Sequence, residues 1–365
     1  RWSFCFCAGL FCPVEVVANS NSLRWAVPRL PAPARYVPYH EIGDDPHIVV
    51  DGKDQASTLL SLSHWPWNRT PDHLREDTST HIVYTYLDDP AAHVDVSVVS
   101  NSHYDEDGLL SMFALVNPEL AYQHRDLCIA TSYATDFWRC TDETAAKLAF
   151  VLGAWSDKES SPLGAKVFSL PLRQRIIEQY RGMLRALPEI LADPFSDTAK
   201  WQAEYNFWQQ SRELLAAGQV RIELHPDVDL AIIHVPDTLP CISIRRYLLR
   251  WELPVHPFAI FEHTDCSRIL WVQGQHMSFQ YRYESWVQVV RFRPLPRVDL
   301  TPLAEHLNAL EPANAQWAFE GVNEVAARLQ IVENQPTGLS SAVLISELVS
   351  FLAQAPSAWD PHGPE

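Results

Sequence analysis

Apolar and polar positions along this chain follow one period before residue 217 and another after it. In the first part, short apolar runs over 47–51, 58–62 and 94–99 each end in polar residues, the pattern of short buried strands. Helical patterns separate them. Thr70, Pro71 and Asp72 supply a cap, a first-turn proline and a first-turn acid, so the spacing predicts a helix over 71–87, closed by Asp88, Asp89 and Pro90. A helix over 107–115 follows the third strand after a polar turn. Thr141 and Asp142 cap another that runs to about Trp155, and 127–134 fits either helix or strand. Two long helices over 170–191 and 197–216 follow; the first keeps an apolar stripe at Leu172, Ile176, Tyr180, Met183, Leu184 and Leu187. After Gly218 strand patterns dominate, over 220–224, 230–235, 258–262, 269–273, 278–283 and 286–292, with helices near 302–310 and 339–352.

Strands alternating with helices predict an α/β fold: a mostly parallel sheet flanked by helices, with a second, smaller α/β domain closing over its cleft. The boundaries read as a disordered or non-native tail over 1–34, an N-terminal α/β domain over 35–217 and a C-terminal α/β substrate-type domain over 218–365. The tail shows no sustained period. Cysteines, prolines and Glu15 interrupt its apolar stretch, and no clear cleavage site follows.

Composition narrows the function classes. Hydrophobic residues are 47% and charged residues 20%, as in ordinary globular proteins, and no apolar run is long enough for a membrane span. The formal net charge of −17 argues against nonspecific nucleic-acid binding, while a local basic patch still suits a small phosphorylated substrate. Seven cysteines, odd in number and without a CxxC pair, fit reduced thiols in a cytoplasmic protein. With 12 glycines and no Gly-rich phosphate loop or G-x-S-x-G elbow, nucleotide kinases, Rossmann dehydrogenases and elbow-type hydrolases are disfavoured.

The most informative stretch is "VVSNSHYDEDGLLSMFAL", residues 98–115. A strand runs into a turn with one histidine and three acids, and a helix follows. In a parallel sheet that turn lies at the ligand-binding carboxyl edge. His103, Asp105 and Asp107 alternate, so their side chains are placed to converge. Carboxylates suit Mn²⁺ or Mg²⁺, and Mn²⁺ also accepts imidazole. Gly108 lets the backbone turn tightly. A solvated, helix-capping turn is the competing reading of the same residues. Other candidates raise the density: Asp51 ends the first strand, His64 follows the second, Asp77 lies on the next helix, and Asp136 lies downstream. The candidate metal set is therefore His103, Asp105, Asp107, Asp136 and His64. In the second part, Arg282, Arg291 and Arg293 are candidates to grip a phosphate bidentately. An Arg282–Glu284 surface pair is the alternative for the first of them.

The 98–115 stretch resembles the first metal motif of the DHH-type phosphoesterase superfamily, in which a strand enters H-x-x-x-D or D-x-D-G and a helix follows. "VQVVRFRPLPRVDLTPLAEHLNAL", residues 287–310, is similar to the substrate-binding domain that accompanies those catalytic domains. The resemblance implies two Mn²⁺ or Mg²⁺ ions activating water against a phosphate ester. It makes His103, Asp105 and Asp107 catalytic, with Asp136 as a second-motif acid. From about Tyr36 the whole chain also resembles an uncharacterised bacterial family, a domain of unknown function. That match rests on "HIVVDG", "LSHWPWNRTP", "SNSHYDEDG" and "YRYESWV", and it implies no activity. The expectation is a divergent metal-dependent phosphoesterase. The alternative, favoured by the missing Asp-His-His triplet, is a non-catalytic ligand-binding or assembly protein on a similar scaffold. An enzyme using the same acids as general acid and base is a third reading.

Overall fold

The structure, a computed structural model, describes residues 28–140, 142–246, 249–312 and 314–363. The expected tail over 1–34 falls, as far as residue 27, outside the described residues. Residues 28–34 run as coil, with Leu30 and Ala34 against the first core and the Ala34 N–H bonded to the Leu115 carbonyl at 2.9 Å.

In chain order the first part contains β1 (Arg35–Tyr36), β2 (His47–Val50), β3 (Thr58–Leu62), α1 (Ser79–Asp88), β4 (Val98–Ser100), α2 (Glu106–Val116), α3 (Pro118–Gln123), α4 (Arg125–Asp136), α5 (Glu143–Trp155), α6 (Ala165–Phe168), α7 (Leu172–Ala192) and α8 (Gln202–Ala216). The second contains β5 (Arg221–His225), β6 (Leu230–Val235), β7 (Ile242–Arg246), β8 (Leu249–Leu253), α9 (Pro257–Phe261), β9 (Arg268–Gln273), β10 (His276–Tyr281), β11 (Arg297–Val298), α10 (Thr301–Leu310), β12 (Trp317–Phe319), β13 (Arg328–Ile331), α11 (Ser341–Gln354) and β14 (Ser357–Trp359).

The fold is α/β. The first sheet has the order β1-β4-β2-β3, and every pairing in it is parallel. Its apolar strands lie between helices because Val50, Leu62 and Val99 pack with residues of α1, α2 and α7, such as Ile82, Leu109 and Met183. The second sheet, β12-β13-β10-β9-β6-β5, is antiparallel except between β6 and β9. Alternation along β6 explains how it is covered. Ala231 and Ile233 face a core with Phe150 of α5, Trp208 of α8 and Phe258 of α9. Leu230 and Ile232 face the opposite core, with Leu303 and Leu307 of α10 and Leu348 of α11. No helix among the described residues is long and apolar enough to cross a membrane.

Four local expectations are corrected. The helix over 71–87 is a 3₁₀ turn at Asp72–Leu74, then α1 from Ser79 with Thr78 as its cap. Tertiary bonds hold the intervening residues out of the helix. The Asp77 carboxylate accepts the N–H groups of Val290 and Arg291, and its carbonyl accepts from His64. The strand over 258–262 is helix α9, capped by His256 with Pro257 in its first turn; an apolar run buried all round carries no period to distinguish the two. The strand over 286–292 is an irregular segment. Its N–H groups at Gln288, Val290 and Arg291 go to His64 and Asp77 rather than to a neighbouring strand. The strand over 278–283 ends at Tyr281 in β10, and residues 283–285 form a 3₁₀ turn.

Candidate metal centre

Strand order builds the centre. β2 lies between β3 and β4, and all three point the same way. The residues just beyond their carboxyl ends therefore meet: Asp51 after β2, His64 after β3, and the 101–107 turn after β4. Asp51 is in the left-handed region, with φ at 45°, and its N–H reaches the Leu62 carbonyl at 3.1 Å. Asp51, His64, Asp107 and Asp136 are all buried.

Asp51 is the hinge of two groups. Its Oδ1 lies 3.4 Å from His64 Nε2, and its Oδ2 lies 3.3 Å from His103 Nε2. In the buried half, His64 Nε2 also faces Asp136 Oδ2 at 3.5 Å, Asp107 Oδ2 at 3.9 Å and the Tyr283 hydroxyl at 3.3 Å. The His64 tautomer follows from its other nitrogen, since Nδ1 donates to the Asp77 carbonyl at 2.6 Å. Asp107 is anchored by the N-terminus of α1, accepting from Ser79 N and Thr80 N at 2.8 Å each, where negative charge is favoured. The Ser79 hydroxyl donates to Asp51 Oδ1 at 2.9 Å.

The other half opens outward. His103 Nε2 lies 2.8 Å from Asp105 Oδ2, and Asp105 Oδ1 caps α2 by accepting from Gly108 N at 2.8 Å. The side chains of His103 and Asp105 are 24% and 14% exposed. They floor a cavity of about 630 Å³ walled by Trp65, Tyr104 and Tyr283 and rimmed by Glu320, Glu324 and Arg328. Three side chains close in on Gly108. A Cβ there would stand 2.3 Å from Asn101 Nδ2, 2.8 Å from the Tyr180 hydroxyl and 3.0 Å from Asp51 Oδ2.

Without a cation, this much buried charge is balanced by protons. Burial raises the Asp51 carboxyl, but hydrogen bonds and charge from His103 and His64 outweigh it and hold Asp51 below the usual carboxylate range. Burial, then the Asp51 charge, pushes Asp107 up to about 7. Burial, then Asp107, Asp105 and Asp51, raises Asp136 well above the usual range, and burial with Asp51 raises Asp105. Burial opposes charge on both imidazoles. The carboxylates prevail, raising His64 and taking His103 to about 10.

The donors fit divalent ions. Two adjacent ligands at about 2.1 Å from one ion stand about 3 Å apart; the spacings of 3.3 to 3.9 Å around His64 Nε2 are somewhat wider than that and wider than ordinary hydrogen bonds. Asp51–His64–Asp107 and Asp51–His103–Asp105 each bring their donor atoms within 4.8 Å of one another. Asn101 Nδ2 is buried without a hydrogen-bond partner.

The five residues in the predicted metal set, His64, His103, Asp105, Asp107 and Asp136, all gather here. They do not converge on one point: Asp107 turns to His64 in the buried half, while His103 and Asp105 face the cavity. The three arginines stand elsewhere, and none lines this cavity. Arg282 is buried, donating to the carbonyls of Phe137, Thr264 and Cys266 and pairing with Glu284, so the expected surface pair is an interior one. Arg291 pairs with Glu76 and lines a separate cavity of about 540 Å³ with His81, Tyr133 and Arg139. Arg293 is exposed and pairs with Asp360. The sequence placed Asp51 among the acids that raise the density of candidates but outside the metal set, and it gave Tyr283 no part in the site. The signal for Asp51 was its place after the apolar run 48–50. Tyr283 carried none.

Fold and centre together define an α/β protein with a buried carboxylate–imidazole cluster at the carboxyl edge of a parallel sheet. Within that class, residues 32–363 match the profile described as Family of unknown function (DUF6687), and the chain belongs to that family. No curated protein and no solved structure gives a significant match, so the DHH likeness rests on the quoted motifs alone.

Proposed function

We propose that this protein is a metal-dependent phosphoesterase that holds two divalent ions, Mn²⁺ or Mg²⁺, on the two sides of Asp51. One observation carries the reading: the two oxygens of the Asp51 carboxylate face two different histidines, each with its own further carboxylate. Asp51, His64, Asp107 and Asp136 would hold the buried ion, and Asp51, His103 and Asp105 the open one. Bound ions of this kind supply charge neutralisation for phosphoryl oxygens and an acidified water for attack. The chain supplies the rest. The Asp77 carbonyl fixes the His64 tautomer, and the amides of α1 hold Asp107 in place. Tyr283 and Trp65 screen the centre from bulk water and leave only the His103–Asp105 side open to the cavity.

The alternative, a non-catalytic ligand-binding or assembly protein, draws on a different observation. Among the described residues Arg328 is the one arginine that lines the cavity, and Glu320 engages it, which leaves no unpaired guanidinium there for a phosphate. Turnover of a panel of phosphomonoesters and phosphodiesters with Mn²⁺ separates the two. Hydrolysis that Asp105→Asn abolishes supports the phosphoesterase. Metal binding without hydrolysis of any ester supports the alternative.

A further inference from the structure

The cavity over the open half has a make-up that a phosphate alone does not account for. Its wall is aromatic and begins at the centre itself, with the Trp65 ring 4.7 Å from that of His103. Its charged rim comes from the hairpin of β12 and β13. There Arg328 donates to Glu320 from Nε at 3.0 Å and from Nη2 at 2.7 Å, and that pair is neutral. The Glu324 side chain is exposed and meets no partner among the described residues. Its backbone is held firmly. The fully buried Arg297 donates to the carbonyls of Val322, Glu324 and Val325, and to the Ser285 hydroxyl beside Tyr283. Among the described residues the cavity therefore presents one carboxylate without an ion-pair partner, held at a fixed place, together with the aromatic side chains of Trp65, Tyr104 and Tyr283 and no unpaired arginine or lysine. Such a surface repels a polyanion and attracts an organic cation.

We propose that this cavity binds an organic ammonium group, so that the phosphoester it admits is zwitterionic. The phosphate would lie toward His103 and Asp105, and the ammonium against Trp65, Tyr283 and Glu324. The phosphate half rests on the phosphoesterase reading; the ammonium half stands on the cavity alone.

The test is calorimetric titration of the full chain with choline and with its uncharged isostere 3,3-dimethylbutan-1-ol, in EDTA and again in excess Mg²⁺. Choline should bind in both conditions, at least tenfold tighter than the alcohol. Glu324→Gln should weaken choline at least fivefold and leave Mn²⁺ binding unchanged, and Trp65→Leu should weaken choline as well. Equal affinity for the two ligands, no choline binding, or a Glu324→Gln variant that binds choline like the parent would overturn the proposal. Choline binding without turnover of any phosphoester upholds it and removes the phosphoesterase reading. Turnover with no preference for ammonium esters does the reverse.

Discussion

Asp51 Oδ1 and His64 Nε2 stand 3.4 Å apart in a site closed to solvent, and the other Asp51 oxygen stands 3.3 Å from His103. One carboxylate thus belongs to two clusters, because β2 lies between the two strands that carry the histidines. This arrangement predicts that the two clusters can be emptied separately. Asp105→Asn should keep the α2 cap, since asparagine caps helices well, and should remove one Mn²⁺ equivalent. Asp107→Asn should remove the other. It should also cost about 1 kcal/mol of stability, because an amide cannot accept from both Ser79 N and Thr80 N. Only the Asp105 variant should lose a metal-dependent change in Trp65 fluorescence, the Trp65 ring lying 4.7 Å from that of His103 at a tilt of 34°. Loss of both equivalents from either single variant would show one undivided site.

The pH dependence of the metal-free protein follows from the raised groups. Asp107, at about 7, binds a proton in the folded chain that the unfolded chain has released near its ordinary 3.8. Stability from that proton is present at acid pH and is lost as pH rises through 7. His103 has the same sign: its contribution is full below 6.5 and disappears as pH rises through about 10. Asp51 has the opposite sign, but its window lies below its ordinary 3.8. Thermal melts in EDTA should therefore show Tm falling from pH 5 to pH 9. Metal must displace these protons, so Mn²⁺ affinity should rise over the same range, with proton release seen by calorimetry in buffers of different ionisation enthalpy. A metal-free Tm that rises with pH would contradict the assignment.

Gly108→Ala tests the packing of the centre without replacing any of the proposed ligands. The new methyl would meet Asn101, Tyr180 and Asp51 at 3.0 Å or less. Overpacking of this kind should cost about 2 kcal/mol in urea denaturation. Because Asp51 must shift, Mn²⁺ affinity should fall more than tenfold. A variant with parental metal affinity would show that Asp51 is not held by this contact.

Much of the first sheet was legible in the sequence, and for a physical reason. Strands buried on both faces read as apolar runs, and the polar residues that end them mark the sheet edge, which is how His64, His103, Asp105 and Asp107 were found; Asp136, at the end of α4, entered through the resemblance as a second-motif acid. Asp51 stood at such an edge too. Its bridging position depends on strand order, which no local pattern encodes. The 283–291 segment was not legible at all. Its residues have strand propensity, yet its backbone donors are satisfied by Asp77 and by the His64 carbonyl, more than two hundred residues away in the chain. For the same reason Arg291 and Arg293 do not gather at the metal centre. On a strand they would have shared a face. In the irregular segment Arg291 turns to Glu76 and Arg293 to Asp360.

The most direct measurement is the number of Mn²⁺ ions that the purified full chain binds, before and after Asp51→Asn. Asparagine tolerates the left-handed backbone at this position, so the substitution removes charge and leaves the turn intact. Titration calorimetry after EDTA treatment should give two equivalents for the parent chain and none of comparable affinity for the variant, with unchanged circular dichroism. A parent chain that binds no Mn²⁺ or Mg²⁺, or a variant that still binds two, would contradict the account.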